Sequence, residues 1–277
     1  MNSPLQPSKP SLDTHIIGTY FFMRSGMAIL AFAFPLVLWL GGRSIMGIEA
    51  RESMSAYYHT DMRDVFVGVL CAIGFTLLLY KGFDKWEDWA LNAAGVLAFG
   101  IAMVPTVANC LPAVPLSDLQ ALHPNTSAQD LGARWEIVSK QLDRTFDRLL
   151  QWNLGLLGRK VPVHGLLAVL FFLAIGYVCG FSSQKTVDLI QDNNWKLLFR
   201  WAYRVLGVSM PALSIFVAGL TYFDPNSRND CSNFTVLRVE WAAIWVFAAF
   251  WALKTYEMRR YRTDEKIPDR SVSVPLP

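Results

Sequence analysis

Six runs of this chain are apolar all round rather than along one stripe: Tyr20–Leu40, Met62–Tyr80, Trp89–Ala108, Val163–Phe181, Trp201–Phe223 and Val236–Leu253. The surface helix of a soluble domain would be interrupted by charge every few residues. A hydrocarbon core of about 30 Å is crossed by about 20 helical residues, and a backbone without water must bond to itself. The pattern therefore predicts an all-α polytopic membrane protein, with six transmembrane helices within residues 16–256. The first run continues through Phe34–Leu40 without a polar break, as an uncleaved helix does. Residues 1–15, with Pro4, Pro7 and Pro10, read as a disordered cytoplasmic tail, and 257–277 as a basic cytoplasmic tail.

The long third connection has a different period. Trp135, Val138, Leu142, Phe146, Leu149 and Trp152 recur at helical spacing, with Glu136, Lys140, Asp143, Arg144, Asp147 and Arg148 between them. This predicts an amphipathic helix over about 128–157, lying on the outer membrane face or docking a protein partner.

Composition sharpens the picture in two places. Hydrophobic residues make up 53% of the chain, which fits one helical membrane domain with the lipid bilayer as its partner. The net charge of +3 comes with no basic groove of interleaved aromatics, so nucleic acid is not a predicted partner. The distribution of cations sets a direction. With the N-terminus inside, Lys9, Arg24, Lys81, Lys85, Lys185, Lys196, Arg200, Arg204 and the cations from Lys254 to Arg270 face the cytoplasm. The short outer loops then carry only Arg43, Arg51, Arg63, Arg228 and Arg238, so the positive-inside rule places both termini in the cytoplasm. Arg24 is expected to snorkel to the inner surface, and the tail from Lys254 to lie against lipid head groups. Trp39, Trp89, Trp201 and Trp241 fit interfacial anchors, and Gly95, Gly100, Gly176, Gly180, Gly207 and Gly219 fit close helix approach. Cys71 and Cys179 read as small hydrophobes, while Cys110 and Cys231 fall on the oxidising side as a candidate disulfide.

Candidate chemistry follows from depth. Val65–Tyr80 is short for a crossing, so its helix must begin near Asp61 or Met62 and take Asp64 to the interface. The core of the last run, Trp241–Leu253, is shorter still, so Arg238 and Glu240 must enter too. His164 opens the fourth run from the same side. His59, Asp64, His164 and Glu240, with Ser55 beside them, thus share one outer level. Two His and two carboxylates could bind a metal, exchange protons, or line a pocket for a small solute, ion or lipid head group. They could equally neutralise the neighbouring Arg63 and Arg238. No His-Glu-x-x-His or Cys-x-x-Cys spacing is present. The functions that remain are binding or transport from the outer side, a membrane-embedded metal-dependent lipid hydrolase, and a structural or sensor subunit docking through its outer helix.

Two resemblances add to this. The run from Ser55 to Gly68, Tyr80-Lys-Gly82, Ala102 to Thr106, His164 and the helix from Glu240 to Lys254 resemble a family of uncharacterised bacterial multipass proteins. That resemblance implies a bacterial inner-membrane location and no established activity. Ser55-x-x-x-His59 followed by an Asp is similar to the Ser/His/Asp pattern of the alkaline-ceramidase and progestin–adiponectin-receptor superfamily. Those proteins hold zinc for lipid amide hydrolysis with a later His pair, which here is reduced to His164 alone.

Overall fold

A computed structural model describes residues 12–46, 50–104, 153–156, 159–223 and 233–261. The described chain is helical: α1 Leu12–Met46, α2 Arg63–Leu79, α3 Lys85–Met103, α4 Val163–Val187, α5 Asn193–Phe223 and α6 Thr235–Tyr261. A short 3-10 helix, Ser55–His59, precedes α2. One antiparallel hairpin, β1 Asn153–Leu156 with β2 Arg159–Pro162, precedes α4. Four helices are long and apolar enough to cross a membrane, over His15–Ser44, Val163–Val187, Asn193–Leu220 and Thr235–Tyr261. The other two, α2 and α3, are shorter, and Lys85, Glu87 and Asp88 charge the first turn of α3.

The helices follow one another around a ring. Each packs against its sequence neighbours, and α6 closes on α1. Short connections force antiparallel neighbours. One end, here the near end, therefore gathers the starts of α1, α3 and α5 and the finishes of α2, α4 and α6. Between the ends the interior is apolar, with Phe34 against Phe66 and Phe171 against Phe247. The outward side is apolar as well: Phe22, Phe75, Val208 and Phe216 are exposed. Lipid removes the hydrophobic drive between such helices, so close backbone approach has to supply the packing. A Cβ on Gly74 would lie 2.9 Å from the Gly95 carbonyl oxygen, and one on Gly207 would lie 2.6 Å from the Gly180 backbone. These are the α2–α3 and α4–α5 crossings. A Cβ on Gly219, expected at such a contact, would meet nothing within 4 Å.

Helix ends follow local chemistry. Asp84 N-caps α3 by accepting the N–H groups of Trp86 (2.9 Å) and Glu87 (3.0 Å). Asn233 caps α6 through the Thr235 N–H at 3.1 Å. Within α4, Val178–Ser182 forms a π turn, a bulge that shifts the face presented by the rest of the helix.

Three boundaries differ from expectation. The first helix begins at Leu12, within the residues expected as a tail. The last runs on to Tyr261 with Glu257 and Met258 buried, because those side chains pack inside the bundle rather than trailing from it. Asn153–Leu156 is a strand where the outer helix was expected to finish; Gly155 is a poor helix residue at that point. The remainder of that helix, Cys110 and Cys231 lie outside the described residues.

At the near end, ion pairs staple the connections. Lys185 binds Asp84, tying α4 to the α2–α3 turn, and Arg200 and Lys196 bind Asp188, tying α5 to α4. Partial burial pushes both carboxyls upward, but Lys185 with two N–H groups at Asp84, and the two cations at Asp188, outweigh it. Both therefore sit below the ordinary value of 3.8. Their stabilising contribution is complete above that value and disappears as pH falls through the lower folded-state values. Thermal unfolding should thus weaken below about pH 4, and Asp84→Asn with Asp188→Asn should flatten that acid limb. An unchanged limb in the double variant would assign the acid sensitivity elsewhere.

Candidate functional site

The four residues expected at one outer level do lie at the far end, but each has its own local task. Glu240 Oε2 accepts the Met54 N–H at 2.6 Å, and the Glu52 carbonyl accepts the Leu237 N–H at 3.2 Å. Together these bonds fasten the segment before α2 to the first two turns of α6, and the Leu237 N–H is one of the first-turn groups with no intrahelical partner. His164 Nδ1 lies 2.6 Å from the Val104 carbonyl oxygen, so that nitrogen carries the proton and satisfies the finish of α3. Asp64 is exposed in the first turn of α2, where a negative charge suits the helix dipole. His59 packs edge-on against Tyr58, 5.5 Å between ring centres. Ser55 pairs with Ser53 at 3.2 Å. Among the described residues, no three His, Cys, Asp or Glu side chains gather as metal ligands would. His59, Asp64, His164 and Glu240 therefore lie beside the starts of α2, α4 and α6 without forming a ligand set among the described residues.

A more concentrated polar assembly lies at the near end. Arg24, Glu87, Lys254 and Glu257 are 1%, 4%, 2% and 0% exposed. Arg24 does not snorkel, and Lys254 does not reach the head groups: both turn inward onto partners. Lys254 Nζ donates to Thr186 Oγ1 at 2.5 Å and to Glu257 Oε2 at 3.3 Å. The same carboxylate oxygen accepts the Tyr203 hydroxyl at 2.5 Å, and the Lys254 ammonium lies 5.4 Å from the centre of the Tyr203 ring. Glu87 Oε2 accepts Ser182 Oγ–H at 2.7 Å and the Phe83 N–H at 3.0 Å. Arg24 donates to Tyr80 Oη at 3.3 Å, and the Tyr80 ring stands edge-on to Trp251 at 5.2 Å.

All six helices contribute: Arg24 from α1, Tyr80 at the finish of α2, Glu87 from α3, Ser182 and Thr186 from α4, Tyr203 from α5, and Trp251, Lys254 and Glu257 from α6. The π turn of α4 carries Ser182 and sets the following turn, with Thr186, toward Lys254. Two cations and two carboxylates make the layer electroneutral, the condition under which charge can remain buried. Not all of its polar atoms are satisfied. Glu257 Oε1 and the Trp251 indole Nε1 are buried with no hydrogen-bond partner. One is an acceptor and the other a donor.

The sequence held a signal for this layer: Lys254 and Glu257 are spaced i, i+3 inside an otherwise apolar helix, the spacing of facing partners. No family model, curated protein or solved structure matches the chain.

Proposed function

We propose that the chain is a six-span bacterial inner-membrane protein, with both termini cytoplasmic, that binds and moves a small polar solute through its near-end charged layer. Membrane placement is supported at that end by exposed Trp86, Trp89, Trp195 and Trp201, which form an interfacial belt with Lys81, Lys85, Lys185 and Arg204. α2 and α3 count as crossings because together they bridge the ring between α1 and α4, which are long enough to span, and shorter helices are accommodated by local thinning of the bilayer. This reading moves the binding site from the far-end residues Ser55, His59, Asp64, His164 and Glu240 to the near end.

One observation carries it: an electroneutral layer drawn from all six helices keeps a buried acceptor, Glu257 Oε1, and a buried indole donor, Trp251 Nε1, without hydrogen bonds. Native structures rarely leave such atoms unmet. A ligand that meets both must donate and accept, and electroneutrality favours one with no net charge, such as a polyol or a zwitterion.

Thermal unfolding of the purified protein with a panel of neutral, zwitterionic and charged solutes tests this. At 100 times its Kd, a ligand of the native state adds about 2.7 kcal/mol of stability. A neutral or zwitterionic solute should raise Tm. Trp251→Phe keeps the ring packing, removes the donor and should weaken that response about tenfold. Selective stabilisation by net-charged solutes, or an undiminished response in Trp251→Phe, would reject the reading.

A further inference from the structure

A buried cation with unmet donors sits at the far end, apart from the near-end layer. Arg51 is 6% exposed, yet its Nε and Nη2 make no hydrogen bond. These two nitrogens lie on one edge of the guanidinium, the edge whose parallel N–H groups bind a carboxylate or phosphate bidentately. Glu52 supplies a counter-charge, with Oε2 3.5 Å from Nε, close enough to pair electrostatically but too far for a well-formed hydrogen bond. The surrounding polar groups are engaged elsewhere. Ser53 Oγ accepts the Ala56 N–H at 3.1 Å and pairs with Ser55, and the Met54 N–H goes to Glu240. The Glu52 carbonyl is held by Leu237, so the backbone that presents Arg51 is fastened to α6. The fork is thus buried, positioned and without a hydrogen bond on its bidentate edge.

We propose that Arg51 binds an oxyanion, a phosphate or carboxylate group, at the outer mouth of the bundle, with Glu52 as the internal competitor for the same charge. The group could belong to a lipid head group or to a free solute, and the test separates these sources. The full-length protein is purified in detergent, and its thermal unfolding is titrated with inorganic phosphate at constant ionic strength, and separately with short-chain phosphatidylglycerol.

Saturable stabilisation is expected from at least one probe; phosphatidylglycerol alone would identify the lipid source, and both together would identify a site open to free anions. Arg51→Lys keeps the charge but loses the fork, and should lose about tenfold or more in affinity. Glu52→Gln removes the competitor and should gain by a similar factor. That second variant also serves should the first fail to fold. The proposal is overturned if neither probe stabilises wild type or Glu52→Gln, if Arg51→Lys responds as wild type does, or if Glu52→Gln binds no more tightly.

Discussion

Lys254→Met is expected to destabilise the bundle by about 3–5 kcal/mol, the largest effect of any single substitution in the charged layer. The change removes the cation that lies 3.3 Å from Glu257 Oε2 and leaves a fully buried carboxylate supported by the Tyr203 hydroxyl. Glu257→Gln should cost less, because Lys254 keeps Thr186 and Gln still accepts from Tyr203. The informative variant is the pair. Lys254→Met with Glu257→Gln removes both charges while keeping similar volumes, and such replacements of buried ion pairs are often neutral or stabilising. The double variant should therefore be more stable than Lys254→Met alone. Unfolding midpoints of the four proteins in one detergent give the coupling directly. Additive costs would mean that the two groups do not act as a pair.

The double variant also separates architecture from function. It keeps helix packing but changes the electrostatics around Glu257 Oε1, so a folded protein that no longer responds to a stabilising solute would assign the charges to binding. A folded protein that responds as before would leave the indole of Trp251 as the chief contact.

How much of this was legible without coordinates follows from what a linear pattern encodes. The apolar runs located the helices α1 to α6 of the described residues. The argument from short apolar cores also placed Asp64 and Glu240 inside helices, since α2 starts at Arg63 and α6 at Thr235. Depth, however, is one coordinate of three. His164 and Glu240 share a level, yet one turns to the Val104 carbonyl and the other to the Met54 N–H. Which way a side chain turns is set by the ring order of helices, and hydropathy carries no record of that order. The same limit hid the near-end layer. Taken singly, Arg24 and Lys254 look like snorkelling and tail cations. Only the closing of α6 onto α1 brings Tyr80, Trp251 and Lys254 into one interior. Arg51 was visible as one charge in a polar loop; its burial and the unmet donors of its fork depend on how that loop is fastened to α6.

Gly207→Ala should be the most disruptive single-methyl change in the protein, although alanine is the better helix former by about 1 kcal/mol. Its Cβ would fall 2.6 Å from Gly180 Cα and N and 2.9 Å from the Gly176 carbonyl oxygen. These are backbone atoms, with no rotamer by which to withdraw, so α4 and α5 must separate. Overpacking of this kind costs about 1–3 kcal/mol, which exceeds the propensity gain. Gly219→Ala is the control within the same helix: with nothing inside 4 Å, it should be neutral or slightly stabilising. The consequence of Gly207→Ala reaches the charged layer. Tyr203 lies one turn before Gly207, accepts Cys179 Sγ–H at its carbonyl at 3.4 Å, and carries the hydroxyl that binds Glu257. Moving α5 away from α4 therefore draws Tyr203 from Glu257 and Thr186 from Lys254 together. Gly207→Ala combined with Glu257→Gln should consequently cost less than the sum of the two, because the first change already weakens the bond altered by the second. Equal Tm values for Gly207→Ala and Gly219→Ala would show that α4 and α5 do not cross at this glycine. Strict additivity with Glu257→Gln would show that the crossing does not position the layer.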